Sequence, residues 1–83
     1  KRTQVLITHG PAHSIRDKNQ HGEQCGSKAL YEKIKTLPNL RHHIFGHIHE
    51  GFGQEDRNGI TFSNVSILDE YYRIKNPVTI IDI

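Results

Sequence analysis

QVLITHGP, residues 4–11, decides how the rest of the chain reads. Gln4–Thr8 is a short, continuous run of β-branched and apolar side chains. A run without polar alternation predicts a strand buried on both faces, as in a parallel or mixed sheet. His9-Gly10-Pro11 stops it abruptly: Pro11 stiffens the turn, and Gly10 lets another group approach the backbone. His9 thereby falls one residue beyond the strand, at the carboxyl edge where open α/β sheets bind ligands. Standing alone, a polar residue that ends a strand is the plainer reading.

Outward from this strand, Ala12–Gly26 is polar and aperiodic, a long loop of the kind that is often functional. Ser27 is the N-cap of a helix running to about Leu37, with Leu30, Ile34 and Leu37 on one stripe and Lys28, Glu32, Lys33 and Lys35 off it. Pro38 ends the helix, because the residue before a proline is pushed out of helical conformation. A second strand, Arg41–Phe45, is broken by Gly46. Asn58-Gly59 lies between the segments Gly51–Glu55 and Ile60–Asn64 and is the strongest short hairpin signal. Val65–Lys75 is ambiguous, with Tyr71-Tyr72 suggesting partial burial. Pro77 introduces a final strand, Val78–Ile83. The order is strand, helix, strand, hairpin, strand: an α/β chain with a mixed sheet.

The chain has 83 residues and 9.5 kDa, room for one small domain at most, with a thin core. Leu, Ile, Val and Phe make about 27% of it, above the roughly 20% level below which charged chains stay disordered. One cysteine, Cys25, rules out an internal disulfide and a Cys-rich zinc framework. The net charge of +2 comes from interspersed signs, too mild to argue for nucleic acid or an anionic membrane. No apolar run approaches the roughly 20 residues of a membrane-spanning helix, and no signal peptide is visible. A soluble, cytoplasmic protein is the default expectation. The chain contains no Met and begins Lys1-Arg2-Thr3, so an excised or incomplete chain, a single partial domain over residues 1–83, is expected. Seven histidines, scattered and internal, ask for a cause, since imidazole is the commonest neutral metal ligand and the usual acid or base near pH 7.

Gly46-His47-Ile48-His49 is the second candidate. In extended backbone, imidazoles at i and i+2 point to the same side; in a tight turn they splay toward two neighbouring ions. A glycine-flanked His-x-His turn is a recurrent metal-binding arrangement, and neutral imidazoles suit Zn, Fe, Mn or Ni alike. Two solvated loop histidines are the bland alternative.

LITHGPA at Leu6–Ala12 followed by FGHIHEGFG at Phe45–Gly53 resembles the calcineurin-like metallophosphoesterase superfamily, nearest to the metallophosphoesterase-domain proteins of animals and their bacterial and viral relatives. The resemblance extends through the helix CGSKALYEKI, the Asn-Gly hairpin, FSNVSILDEYY and NPVTIIDI. It implies that His9 matches the family's fourth metal motif, and His47 and His49 the fifth. By the same resemblance, His9 and His47 hold one of two divalent metal ions and His49 the other, and a bridging hydroxide attacks phosphorus in line. The function implied is metal-dependent hydrolysis of a phosphomonoester or phosphodiester.

The departures count as much. The family's first three motifs, Asp-x-His, Gly-Asp and Gly-Asn-His-Asp/Glu, are absent. Asp17, Asp56, Asp69 and Asp82 all lack the preceding Gly and the His two residues on. The chain therefore resembles the C-terminal half of a four-layer α/β/β/α sandwich, carrying the His ligands without the bridging carboxylate or the general acid. Such a half is expected to be inactive alone, with no catalytic residue of its own. It needs the missing N-terminal half or a partner chain, and with one sheet face bare it oligomerises or aggregates. A non-catalytic metal-binding or interaction module derived from that fold is the alternative. Among the other candidates, His13 faces substrate or solvent, His21 is exposed, and of His42 and His43 one packs inward and one outward. Cys25 is a loop cysteine, while Asn64 and Tyr71 fix strand ends near the site.

Overall fold

The computed structural model describes residues 2–68 and 72–81. Its regular elements are β1 (Val5–Ile7), α1 (Lys28–Ile34), β2 (His42–Phe45), a 3-10 turn (His49–Gly51), β3 (Gly53–Arg57) and β4 (Ile60–Asn64). They form one four-stranded sheet in the order β1-β2-β4-β3. β1, β2 and β4 are parallel, and β3 runs back along β4 as the antiparallel edge. The expected mixed α/β sheet is present.

The hairpin forms where Asn-Gly places it. Asn58 and Gly59 have φ of 51° and 80°, the left-handed pair a two-residue turn needs to match strand twist. Ser27 caps α1: its Oγ accepts from the Leu30 N–H at 3.0 Å. The regular helix stops at Ile34, and Lys35–Leu37 continues as a turn in which the Thr36 N–H and hydroxyl both donate to Lys33 O. Seven residues are too few for an isolated helix in water. Burial of Ile34 and Leu37 against Phe45, Phe62, Ile15, Leu40 and Ala12 holds it in place. Leu6 and Phe62 are each Cα partners of His43, so these three side chains form one row on the core face of the sheet.

Ala12–Gly26 is tied down more firmly than its polar composition suggests. It closes through single bridges, Ala12 to Ser27 and Lys18 to Gln24, and sends Ile15 into the core. Asp17, 2% exposed, accepts from the Ser14 N–H at 2.8 Å and the Gly26 N–H at 2.9 Å. These bonds replace the water its carboxylate loses.

Two expectations are corrected. β1 is not buried on both faces: it is a sheet edge, and Ile7 is 73% exposed. A continuous apolar run specifies that both faces want cover, without specifying that this chain supplies it. The final strand Val78–Ile83 does not form across residues 78–81, where Val78 and Ile80 stand in solvent. They pair with neither of the sheet's two edges, β1 and β3. Asp82 and Ile83 lie outside the described residues, as does Tyr71. No helix among the described residues is long and apolar enough to cross a membrane.

Candidate functional site

The parallel pairing of β1 with β2 brings their carboxyl ends side by side, and with them the two histidine segments. The ladder continues past both strands: the Thr8 N–H donates to Ile44 O at 3.0 Å, and the Gly46 N–H to His9 O at 3.1 Å. His9 and His47 consequently stand ring against ring, centroids 4.4 Å apart and tilted by 38°. Both are exposed, an edge position from which imidazole lone pairs can reach a ligand.

The His47 backbone is unusual. Its φ is 69°, and the Ile48 N–H donates to Gly46 O at 2.8 Å. A bond spanning two residues around a positive φ is a γ-turn of the rare hand. For a residue with a Cβ, this costs of order 1–3 kcal/mol, and such strain persists only where the surroundings over-determine it. Three groups do so here. Asn64, fully buried at the end of β4, donates from Nδ2 to Ile48 O at 2.8 Å and to Arg16 O at 3.3 Å, while its Oδ1 accepts from the Ser66 N–H at 3.1 Å. Arg16 donates from Nε to Gly51 O at 2.8 Å and from Nη2 to Phe52 O at 2.7 Å. The 3-10 turn itself closes with the Gly51 N–H on Ile48 O at 3.0 Å.

His49, the third predicted ligand, starts that turn and meets the ring of Tyr72 edge-on at 5.3 Å. Among the described residues no three His, Cys, Asp or Glu side chains gather as a metal-holding group. Of the three expected ligands, the structure brings His9 and His47 ring against ring. His13 is half-buried and His21 exposed. His42 is half-buried and His43 fully buried, which resolves the inward–outward pair. Asn64 fixes the strand end as expected. Arg16 was not singled out by sequence, being one charge in an aperiodic loop. A groove of about 310 Å³ between the end of α1 and the hairpin, lined by Tyr31, Leu37, Pro38, Arg57 and Ile60 among others, shares no lining residue with the histidine pair.

The clamp carries a prediction. Arg16→Ala removes two charge-assisted bonds to carbonyls, each typically worth about 1.5–3 kcal/mol. Partial exposure places the expected loss near the lower figure. Arg16→Lys should recover less than half, because an ammonium does not reproduce the planar fork. Urea unfolding of the three chains measures both; equal stability of the Lys and Arg chains would refute the fork geometry.

No family model matches the chain. The human metallophosphoesterase domain-containing protein 1 is 34% identical over 80 residues, covering 95% of this chain and 24% of that protein. A UPF0046 protein of Caenorhabditis elegans is 33% identical over 79 residues, 95% of this chain and 20% of the relative. A probable rhamnogalacturonate lyase C of Emericella nidulans is 42% identical over 55 residues, 66% of this chain but 5% of that protein, too small a share to speak for lyase chemistry. The chain spans about a fifth to a quarter of the length of the first two relatives.

Proposed function

We propose, from the sequence relationship of this chain to the metallophosphoesterase domain-containing proteins, that it supplies the histidine half of a dinuclear centre for phosphoric-ester hydrolysis. The observation that supports this reading most directly is the His9–His47 ring pair, 4.4 Å apart at the ends of two parallel strands. In it, His9 and His47 hold one divalent ion and His49 reaches toward a second. When bound, such ions stabilise charge on the attacking and equatorial oxygens of a phosphoryl group. Neutral imidazoles complete the coordination, and carboxylates that neutralise and bridge the ions come from outside the described residues. The exposed side chains Ile7, Ile74, Val78 and Ile80 are where a covering half of a four-layer sandwich, or a partner chain, would pack.

Calorimetric titration of the 83-residue chain with Mn²⁺ and Zn²⁺ tests the reading. One weakly bound ion per chain is expected, with affinity lost at least about tenfold in His9→Ala and His47→Ala and unchanged in His21→Ala. Indifference of binding to both His9→Ala and His47→Ala would overturn it. Hydrolysis of a chromogenic phosphodiester by the chain alone is expected to be absent. Robust Mn²⁺-dependent turnover would show that the carboxylates are not needed. A non-catalytic module is the second reading, and stoichiometry separates the two: two ions bind once carboxylates are supplied in trans if the centre is dinuclear, and one at most if it is a module.

A further inference from the structure

We infer that Thr8 and His43 are positioning residues for the histidine pair, a hydrogen-bonded relay that fixes the His9 turn from the core of the sheet. The relay rests on the metal-site reading above for its purpose, but its geometry stands independently.

Proton bookkeeping assigns its direction. Thr8 Oγ1 lies 2.6 Å from Gly10 O and 2.9 Å from His43 Nε2. A carbonyl oxygen can only accept, so the single hydroxyl proton goes to Gly10 O. Thr8 Oγ1 must then accept from His43, whose proton sits on Nε2. The chain of donation runs His43 Nε2–H to Thr8 Oγ1–H to Gly10 O. It bridges the residue on either side of His9 and closes the turn that carries it. Gly10 in turn lies against His47: a Cβ built on it would be 3.8 Å from His47 Cδ2 and 3.9 Å from its Cβ. One tether therefore sets the backbone under His9 and the wall beside His47.

The arrangement is otherwise hard to account for. His43 is fully buried between Phe45 and Phe62, with ring centroids at 4.8 Å and 5.6 Å. Its Nδ1 has no hydrogen-bond partner; in the Nε2–H tautomer that atom is an acceptor lone pair rather than an unpaired N–H. Phenylalanine would fill the same space without that cost, but it could not donate to Thr8. Burial also pushes the His43 imidazole down to about 4, so at neutral pH the ring is uncharged and holds a single N–H.

Thr8→Val removes the hydroxyl at nearly constant shape, and Thr8→Ser restores it. Zn²⁺ titration of the 83-residue chain is expected to show about tenfold weaker binding in Thr8→Val, with Thr8→Ser within about twofold of the unsubstituted chain. Unchanged binding in Thr8→Val, or Thr8→Ser as weak as Thr8→Val, would overturn the relay. If Thr8→Val does not fold, because the His43 N–H loses its acceptor, the double variant Thr8→Val/His43→Phe replaces both partners by apolar groups and is read in the same way.

A metal-free arm separates this proposal from the function it serves. Imidazole ¹⁵N spectra should report the Nε2–H tautomer for His43; the Nδ1–H form would overturn the assignment. The ring-current shifts that His9 and His47 impose on each other should change in Thr8→Val and return in Thr8→Ser. If the unsubstituted chain takes up no Zn²⁺ yet these shifts respond, the positioning role stands and the metal reading falls. If they do not respond, the positioning role falls.

Discussion

Gly51→Ala is expected to cost about 3 kcal/mol or more. A Cβ at this position would lie 2.1 Å from Arg16 O and 2.9 Å from both Arg16 C and Asn64 Nδ2. Real Cβ atoms do not approach backbone this closely. The obstacle is a carbonyl held by Asn64 rather than the loose end of a side chain. Relief would require moving the Arg16 backbone away, which breaks the Asn64 bonds and the guanidinium clamp together. Gly22→Ala is the control: a Cβ there meets nothing within 4 Å, so only its φ of 76° opposes the change, at about 1 kcal/mol. Thermal and urea unfolding of both variants gives the comparison. A Gly51→Ala chain as stable as Gly22→Ala would mean that the turn does not pack on the Arg16 loop.

Acid should weaken the fold through His43 before carboxylates matter. Its folded value of about 4 lies below the ordinary 6.5 because burial disfavours the charged ring. Between these values the unfolded chain binds more protons than the folded one, so stability falls as pH falls through that window. The full loss is about 3 kcal/mol, reached only below pH 4, of which about 2 kcal/mol is gone by pH 5. Above pH 7 the contribution is flat. Urea midpoints from pH 7.5 to 4.5 should trace this slope, and His43→Phe should flatten it. A His43→Phe chain with the same acid slope would place the proton uptake elsewhere.

The elements that local chemistry dictates were legible in the sequence. Asn58-Gly59 makes its turn, Ser27 caps its helix, and Gly46 ends its strand, because each depends on neighbours a few residues away. The approach of His9 to His47 was legible only through the resemblance of LITHGPA and FGHIHEGFG to a family, since two strand-end histidines need not belong to adjacent strands. Hydropathy alone did not show Ile7 and Val78 exposed, since the hydrophobicity of a segment records what it would bury; a bare sheet face was expected only through the resemblance to half of a sandwich. Alternation required one of His42 and His43 to turn inward, but only the register against Leu6 and Phe62 says which. Arg16 gave no signal, because a charge satisfied by backbone carbonyls distant in sequence leaves no period to detect.

The parallel pairing of the first two strands makes the sheet a ruler for the histidine pair. Strands in a sheet lie about 4.8 Å apart, and the rings they carry are 4.4 Å apart, so the separation is inherited from backbone spacing rather than from the long segment between them. Insertions and deletions should therefore be tolerated unevenly. Lengthening the loop around Gly22, or the turn after α1, leaves the pair where it is, since neither lies on the ruler. One residue added between Val5 and Thr8 slips the register, turns Thr8 from His43, and carries His9 to the opposite face of the sheet.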